Sequence, residues 1–131
     1  MKKLVLIFAV LFLGTFSISA QSSGTGYVQV TWNSCDPCCV GMEYYVCITI
    51  ERISDHEIIV ENLCSEVEAS PYTFSFDLDC SENEYFKVYA SVRAGCDGEP
   101  PTECCYGKNS GVTASCSDLN GGSFSMSVTI Q

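Results

Sequence analysis

The chain has 131 residues, with sixteen acids against six basic residues, a net charge of −10 at pH 7, and ten cysteines. That acidity excludes nucleic acid and anionic membrane surfaces as partners, because like charges repel. The length suits one folded domain rather than two.

In chain order, the first element is an export signal. Lys2 and Lys3 form a positive start, residues 4–16 form an apolar run, and Ser17-Ile18-Ser19-Ala20 is a small-residue exit. The pattern predicts a signal peptide over 1–20, cleaved before Gln21, and a single mature domain over 21–131. The apolar run is too short to span a bilayer comfortably, so the mature chain is expected to be secreted, extracellular or periplasmic, with no membrane span. Losing Lys2 and Lys3 leaves Arg52, Lys87, Arg93 and Lys108 as the basic residues, a net charge of about −12. All ten cysteines lie in the exported part and make up roughly nine percent of it, a usage typical of disulfide scaffolds. An even count in an oxidising compartment predicts five bridges.

The mature sequence reads as seven strands with period-two alternation. Residues 27–33 place Val28, Val30 and Trp32 on one face. Residues 42–53 do the same with Tyr44, Val46, Ile48 and Ile50. Residues 58–64 follow a tight turn at Ser54-Asp55-His56-Glu57. Residues 72–78 alternate Tyr72, Phe74, Phe76 and Leu78 against polar neighbours. Residues 85–94 align Phe86, Val88, Ala90 and Val92. A short strand over 111–116 precedes the last, 123–130, with Phe124, Met126, Val128 and Ile130 inward. Stretches of helical length with a 3.6 period are lacking. An all-β, disulfide-stapled antiparallel sandwich of about seven strands is expected.

Two pairings follow from counting. A symmetric turn at Asp55-His56 pairs Ser54 with Glu57, so paired numbers sum to 111. Cys47 then stands opposite Cys64 at a close, non-hydrogen-bonded site that suits a disulfide. The same count sets Glu51 opposite Val60 and Ile50 opposite Glu61, mixing faces. For the last two strands, Asn120-Gly121 suggests a hairpin. A two-residue turn there would set apolar against polar faces. A loop of three or five residues is therefore expected, with Val112 facing Ile130 and Ala114 facing Val128.

Three stretches resemble the fibronectin type III family. Val28-Gln29-Val30-Thr31-Trp32 is similar to its second strand, Tyr44-Tyr45-Val46 to its third, and Phe86-Lys87-Val88-Tyr89-Ala90, leading into Gly95-Cys96-Asp97-Gly98, to its sixth and the loop that follows. The resemblance covers roughly residues 27–117 and implies a fibronectin III-like (immunoglobulin-like) sandwich. It also implies where the cysteines gather. Cys35, Cys38 and Cys39 would share one pole with Cys96, Cys104 and Cys105, held in two loops and bonding among themselves in an order left open. Cys80 and Cys116 would meet at the opposite pole.

The candidate chemistry is sparse. Cys35-Asp36-Pro37-Cys38 has the spacing of a thioredoxin-type dithiol or a pair of zinc ligands, but no helix follows it, and a structural disulfide is expected. His56, between Asp55 and Glu57, reads as a turn residue, since sequence neighbours cannot converge as a triad does. Asp77, Asp79, Glu82 and Glu84 cluster at one turn but lack the calcium-loop spacing. Neither catalytic residues, metal nor cofactor are expected. Tyr45 and Tyr89 point outward from strands that are neighbours in the resembled topology, and they form a candidate binding face. The expected function is a secreted, non-enzymatic module that binds a protein partner through the disulfide-linked pole or the tyrosine face. A carbohydrate-binding module is the alternative and a thiol oxidoreductase the more distant one.

Overall fold

The computed structural model describes residues 22–98 and 100–131; the signal reading over 1–20 lies outside them. The strands are β1 (Ser22–Trp32), β2 (Glu43–Arg52), β3 (Ile58–Val67), β4 (Tyr72–Cys80), β5 (Tyr85–Cys96), β6 (Thr102–Lys108), β7 (Val112–Ser115) and β8 (Ser125–Val128), with a short helix α1 (Cys116–Asn120) before β8. They form two sheets, one ordered β4-β1-β8 and the other β3-β2-β5-β6, in which β7 also pairs with β5. The pairings are antiparallel except that β8 runs parallel to β1.

The two inner faces make one core. Val28 and Val30 from β1 meet Val46, Ile48 and Ile50 from β2, and Phe86, Val88 and Val92 from β5, all at most 1% exposed. Each such side chain contributes roughly 1.5–3 kcal/mol by leaving water. Trp32 closes one end against Tyr44, with ring centroids 5.4 Å apart. Among the described residues the core holds no buried polar or charged side chain. The period-two reading is therefore correct about the buried face of β1, β2, β4, β5 and β8.

It is less successful with the third strand's register. From Tyr44↔Val67 to Ile48↔Leu63 the paired numbers do sum to 111. Nearer the turn the register shifts twice, so Ile50 faces Val60 and Glu51 faces Ile58, not Glu61 and Val60 as the symmetric count expects. The Asn62 backbone takes a φ of 47°, and its N–H donates to Thr49 Oγ at 3.1 Å. The irregularity keeps buried Ile50 against another apolar residue, and burial outweighs regular pairing.

The expected C-terminal hairpin does not form. β7 joins the five-stranded sheet beside β5, whereas β8 joins the other sheet beside β1. Between them, Ser115 and Asp118 form a capping box, each side chain accepting the other's backbone N–H at 3.1 and 3.0 Å. This box starts α1, which buries Leu119 completely. A polar side chain that satisfies an orphan helix N–H, together with a fully buried leucine, outweighs the hairpin tendency of Asn-Gly.

A second departure is β6, which the sequence reading leaves as loop. It pairs with β5 across a bulge between Ala94 and Gly95. A Cβ at Gly95 would lie 2.3 Å from the Thr102 carbonyl oxygen, so only glycine allows this approach. Beyond β8 the chain crosses from one sheet to the other. Asn33 and Ile130 exchange two hydrogen bonds, at 2.8 and 3.0 Å, and Tyr106 and Gln131 exchange two backbone bonds, at 3.1 and 3.3 Å. The tail thus covers the free edge of β6 and limits pairing with another chain there.

Candidate functional site

Five disulfides join all ten cysteines. At one pole, Cys35 bonds Cys105, Cys38 bonds Cys104 and Cys39 bonds Cys96, with Cα atoms 6.3, 5.4 and 6.2 Å apart. Of these six cysteines, only Cys35, Cys38 and Cys39 lie in a loop, 33–42. Cys96 ends β5, and Cys104 and Cys105 lie on β6, which corrects the two-loop picture. Adjacent cysteines alternate across a strand, so Cys104 and Cys105 naturally face different partners. Cys35 and Cys38 bond different cysteines and form no dithiol pair with each other. Their sulfurs, being in disulfides, are not thiolate ligands for a metal. Cys80 bonds Cys116 at the other end, and Cys47 bonds Cys64 across β2 and β3 with Cα atoms 4.1 Å apart.

His56 sits in the turn with a positive φ of 59°, and its Nδ1 contacts the Glu51 carboxylate. That contact, then the phenol of Tyr89, holds the Glu51 carboxyl below its usual range against the opposing effect of burial. In this pair His56 is exposed and Glu51 is partly buried. At the acidic turn, Glu84 accepts the Ser81 N–H at 3.1 Å and lies 3.8 Å from Arg52. Among the described residues, the acids whose ligand atoms lie within 4.8 Å of one another are Glu43, Glu66 and Asp97, not the four of this turn. A hydrogen bond donated by the protonated Glu43 carboxyl to Glu66, together with the surrounding negative charge, raises it above its usual range.

The outer face of the five-stranded sheet is built in rows. Tyr45 lies opposite Arg93, which lies opposite Tyr106 on β6. The next row is Cys64, Cys47, Ser91 and Lys108. Below it Thr49 faces Tyr89, and below that Glu51 faces Lys87. Tyr45 and Tyr89 therefore share the face but are not neighbours. They stand two rows apart, about 14 Å along the sheet at roughly 3.4 Å per residue. Their adjacency in strand order says nothing about register, which the inner faces set.

The rings and cations on this face are coupled. The Arg93 guanidinium lies 4.9 Å from the Tyr45 ring centre, and the Lys87 ammonium 5.5 Å from that of Tyr89. The Tyr45 hydroxyl donates to Asp97 at 2.7 Å, and this bond, followed by burial and nearby acids, pushes the phenol up to about 12. Between the Tyr89 and Tyr106 rings lies a groove of about 420 Å³, floored by Cys47 and Ser91 and bordered by Thr49, Asn62 and Lys108. Small residues in the middle row create the groove, and tyrosines in the flanking rows form its walls. Arg93 and Lys87 were accessible to sequence reading, since both occupy outward positions of a recognised strand. Tyr106 and Lys108 were not, because β6 itself went unread. No protein-family model, curated protein or solved structure matches this chain.

Proposed function

We propose that the protein is a secreted, non-enzymatic interaction module that binds a protein partner through the outer face of its five-stranded sheet, with the cross-linked pole as a rigid frame. One observation carries this reading. Tyr45, Tyr89 and Tyr106 share that face with Lys87, Arg93 and Lys108, three of the four basic residues among those described. Tyrosine and arginine on a preorganised surface are the residue types that dominate binding energy at interfaces. The pole offers less: Val40 is fully exposed there, and a single exposed apolar residue is ordinary.

Photo-crosslinking tests the face. A benzophenone amino acid at Tyr89 or Tyr106 is expected to capture a discrete protein from the native secreted fraction, whereas one at Val40 is not. Capture from Val40 alone would move the site to the pole. Five bridges and the pattern over 1–20 support secretion. An intact mass that begins at Gln21 and falls ten hydrogens below the reduced value checks it; retention of Met1 would sink it.

A carbohydrate partner is the second reading, favoured by the groove, whose tyrosine walls and hydroxyl and amide borders suit a sugar ring. Glycan-array binding lost on Tyr89→Ala would select it. The fibronectin III resemblance is likewise proposed, supported by β2 and β5 lying side by side opposite β1. An experimental structure that separates β2 from β5 would end it.

A further inference from the structure

We infer that a basic, extended segment of a partner protein adds as a further strand to the open edge of β3, with lysine or arginine side chains against Glu66. This edge is a second surface of the five-stranded sheet and stands apart from the tyrosine face.

The backbone is the first argument. β3 ends its sheet, and among the described residues no backbone group pairs with its outer side. Cys47 and Cys64 stand with Cα atoms 4.1 Å apart, the close spacing of a non-hydrogen-bonded pair. The N–H and C=O of Cys64 therefore point away from β2, and by alternation so do those of Glu66. From Leu63 to Val67 the register is regular, and the stretch holds neither proline nor lysine, the usual guards of an exposed edge. The Cys47–Cys64 bridge fixes this stretch against β2, so a strand added there orders little of the chain. The edge of β6, by contrast, is covered by the tail. Main-chain pairing of this kind supplies affinity, and the alternate side chains supply specificity.

The side chains along this edge set the chemistry. Glu61, Glu66 and Glu68 are exposed, and the carboxylates of Glu43, Glu66 and Asp97 lie within 4.8 Å of one another. None of these five acids has a described cation within 4.0 Å. Arg93 sits two strands in from β3, opposite Tyr45, and lies over that ring. Across a strand pair, opposed side chains come within about 5 Å, so a lysine or arginine opposite Glu66 reaches the crowded carboxylates. The crowding already raises the Glu43 carboxyl, and an incoming cation relieves it. On the inner side of β3, Leu63 and Val67 pack on the core but stay only partly buried. The alternate side chains of an added strand point inward beside them, so apolar residues suit those positions. A second copy of this chain would bring the same acids to the edge, and like charges repel across strands. The occupant that fits alternates basic and apolar residues.

Selection from a random peptide library displayed on phage, with the disulfide-intact protein as bait, tests the inference. The enriched peptides are expected to alternate Lys or Arg with apolar residues. Synthetic copies should lose affinity about threefold or more for Glu66→Gln, which removes charge alone. They should lose about tenfold or more for Glu66→Pro, which also removes the outward N–H. Binding should slow amide exchange at Cys64 and Glu66 and should weaken as salt rises. Circular dichroism and intact mass would verify that each variant keeps its fold and bridges; if Glu66→Pro unfolds, Glu66→Gln and the exchange measurement decide. A selection that enriches no sequence, or only peptides without basic residues, overturns the inference. So do peptides that bind both Glu66 variants as tightly as the parent. Basic peptides that lose affinity for Asp77→Asn/Asp79→Asn instead would place the site on β4 and overturn it too. Peptides that lose binding on Tyr106→Ala and leave exchange at Cys64 and Glu66 unchanged overturn the edge and support the tyrosine face.

Discussion

Tyr45 on β2 stands directly opposite Arg93 on β5, with the guanidinium over its ring and its hydroxyl donating to Asp97. β2, β5 and the loop that follows β5 are thereby joined at one phenol. Because that hydrogen bond favours the neutral form, the phenol should ionise near 12 rather than at its usual 10. A phenol raised in the folded state contributes stability that is complete below pH 10 and is lost as the pH rises through about 12. Absorbance titration at 295 nm of the parent and Tyr45→Phe checks it. The variant should lack the last-titrating tyrosine and lose less stability between pH 10 and 12. Identical alkaline profiles would contradict the assignment.

The Glu43 carboxyl shares a hydrogen bond with Glu66 and feels Asp97 and Glu68. Its raised value means that the folded chain holds this proton more tightly than the unfolded chain. The associated stability is present below the ordinary value of 4.5 and falls as the pH rises through the folded value. Glu43→Gln should therefore be more stable than the parent at pH 7, with the advantage fading at pH 4 and below. Denaturant unfolding at both values would show it; a destabilised variant at pH 7 would count against the repulsion.

The Cys47–Cys64 bridge joins residues 17 apart and pins β3 to the sheet on the outer face. Replacing both with Ala should cost roughly 3 kcal/mol, the loop-entropy value for a loop of this length. For a domain of this size that lowers Tm by roughly 10–15 °C. Peptide mapping should find the other four bridges intact. An unchanged Tm would mean that the hairpin is held by its packing alone.

Gly107 allows the C-terminal tail to lie against β6. A Cβ there would come within 2.1 Å of the Thr129 carbonyl oxygen, a backbone atom that cannot swing away. Gly107→Ala should displace the tail, costing about 1–3 kcal/mol as overpacking does. Amide exchange at Tyr106 and Gln131 should speed up, and the uncovered edge should promote self-association. Unaltered exchange at these two amides would show that the tail tolerates the methyl.

Alternation along the chain determined which side of most strands is buried, because apolar side chains at every second position leave only one face that can meet the core. The count from a symmetric turn reaches Cys47 opposite Cys64 although the chain turns one residue earlier, at Arg52 and Glu57, because two register shifts between the turn and the bridge restore the sum of 111. Alternation could not determine partners. Ser125 to Val128 alternates equally well beside β7 or parallel to β1, and α1 with buried Leu119 decides between them. Nor could it find β6, whose Cys104-Cys105 pair and Gly107 carry no alternating apolar signal. That strand exists because two disulfides, the β5 edge and the tail hold it. The site has the same origin: Tyr106 joins the row of Tyr45 and Arg93 only through the β5–β6 register. Burial is recorded residue by residue, whereas registers between distant strands come from the packing of the whole core.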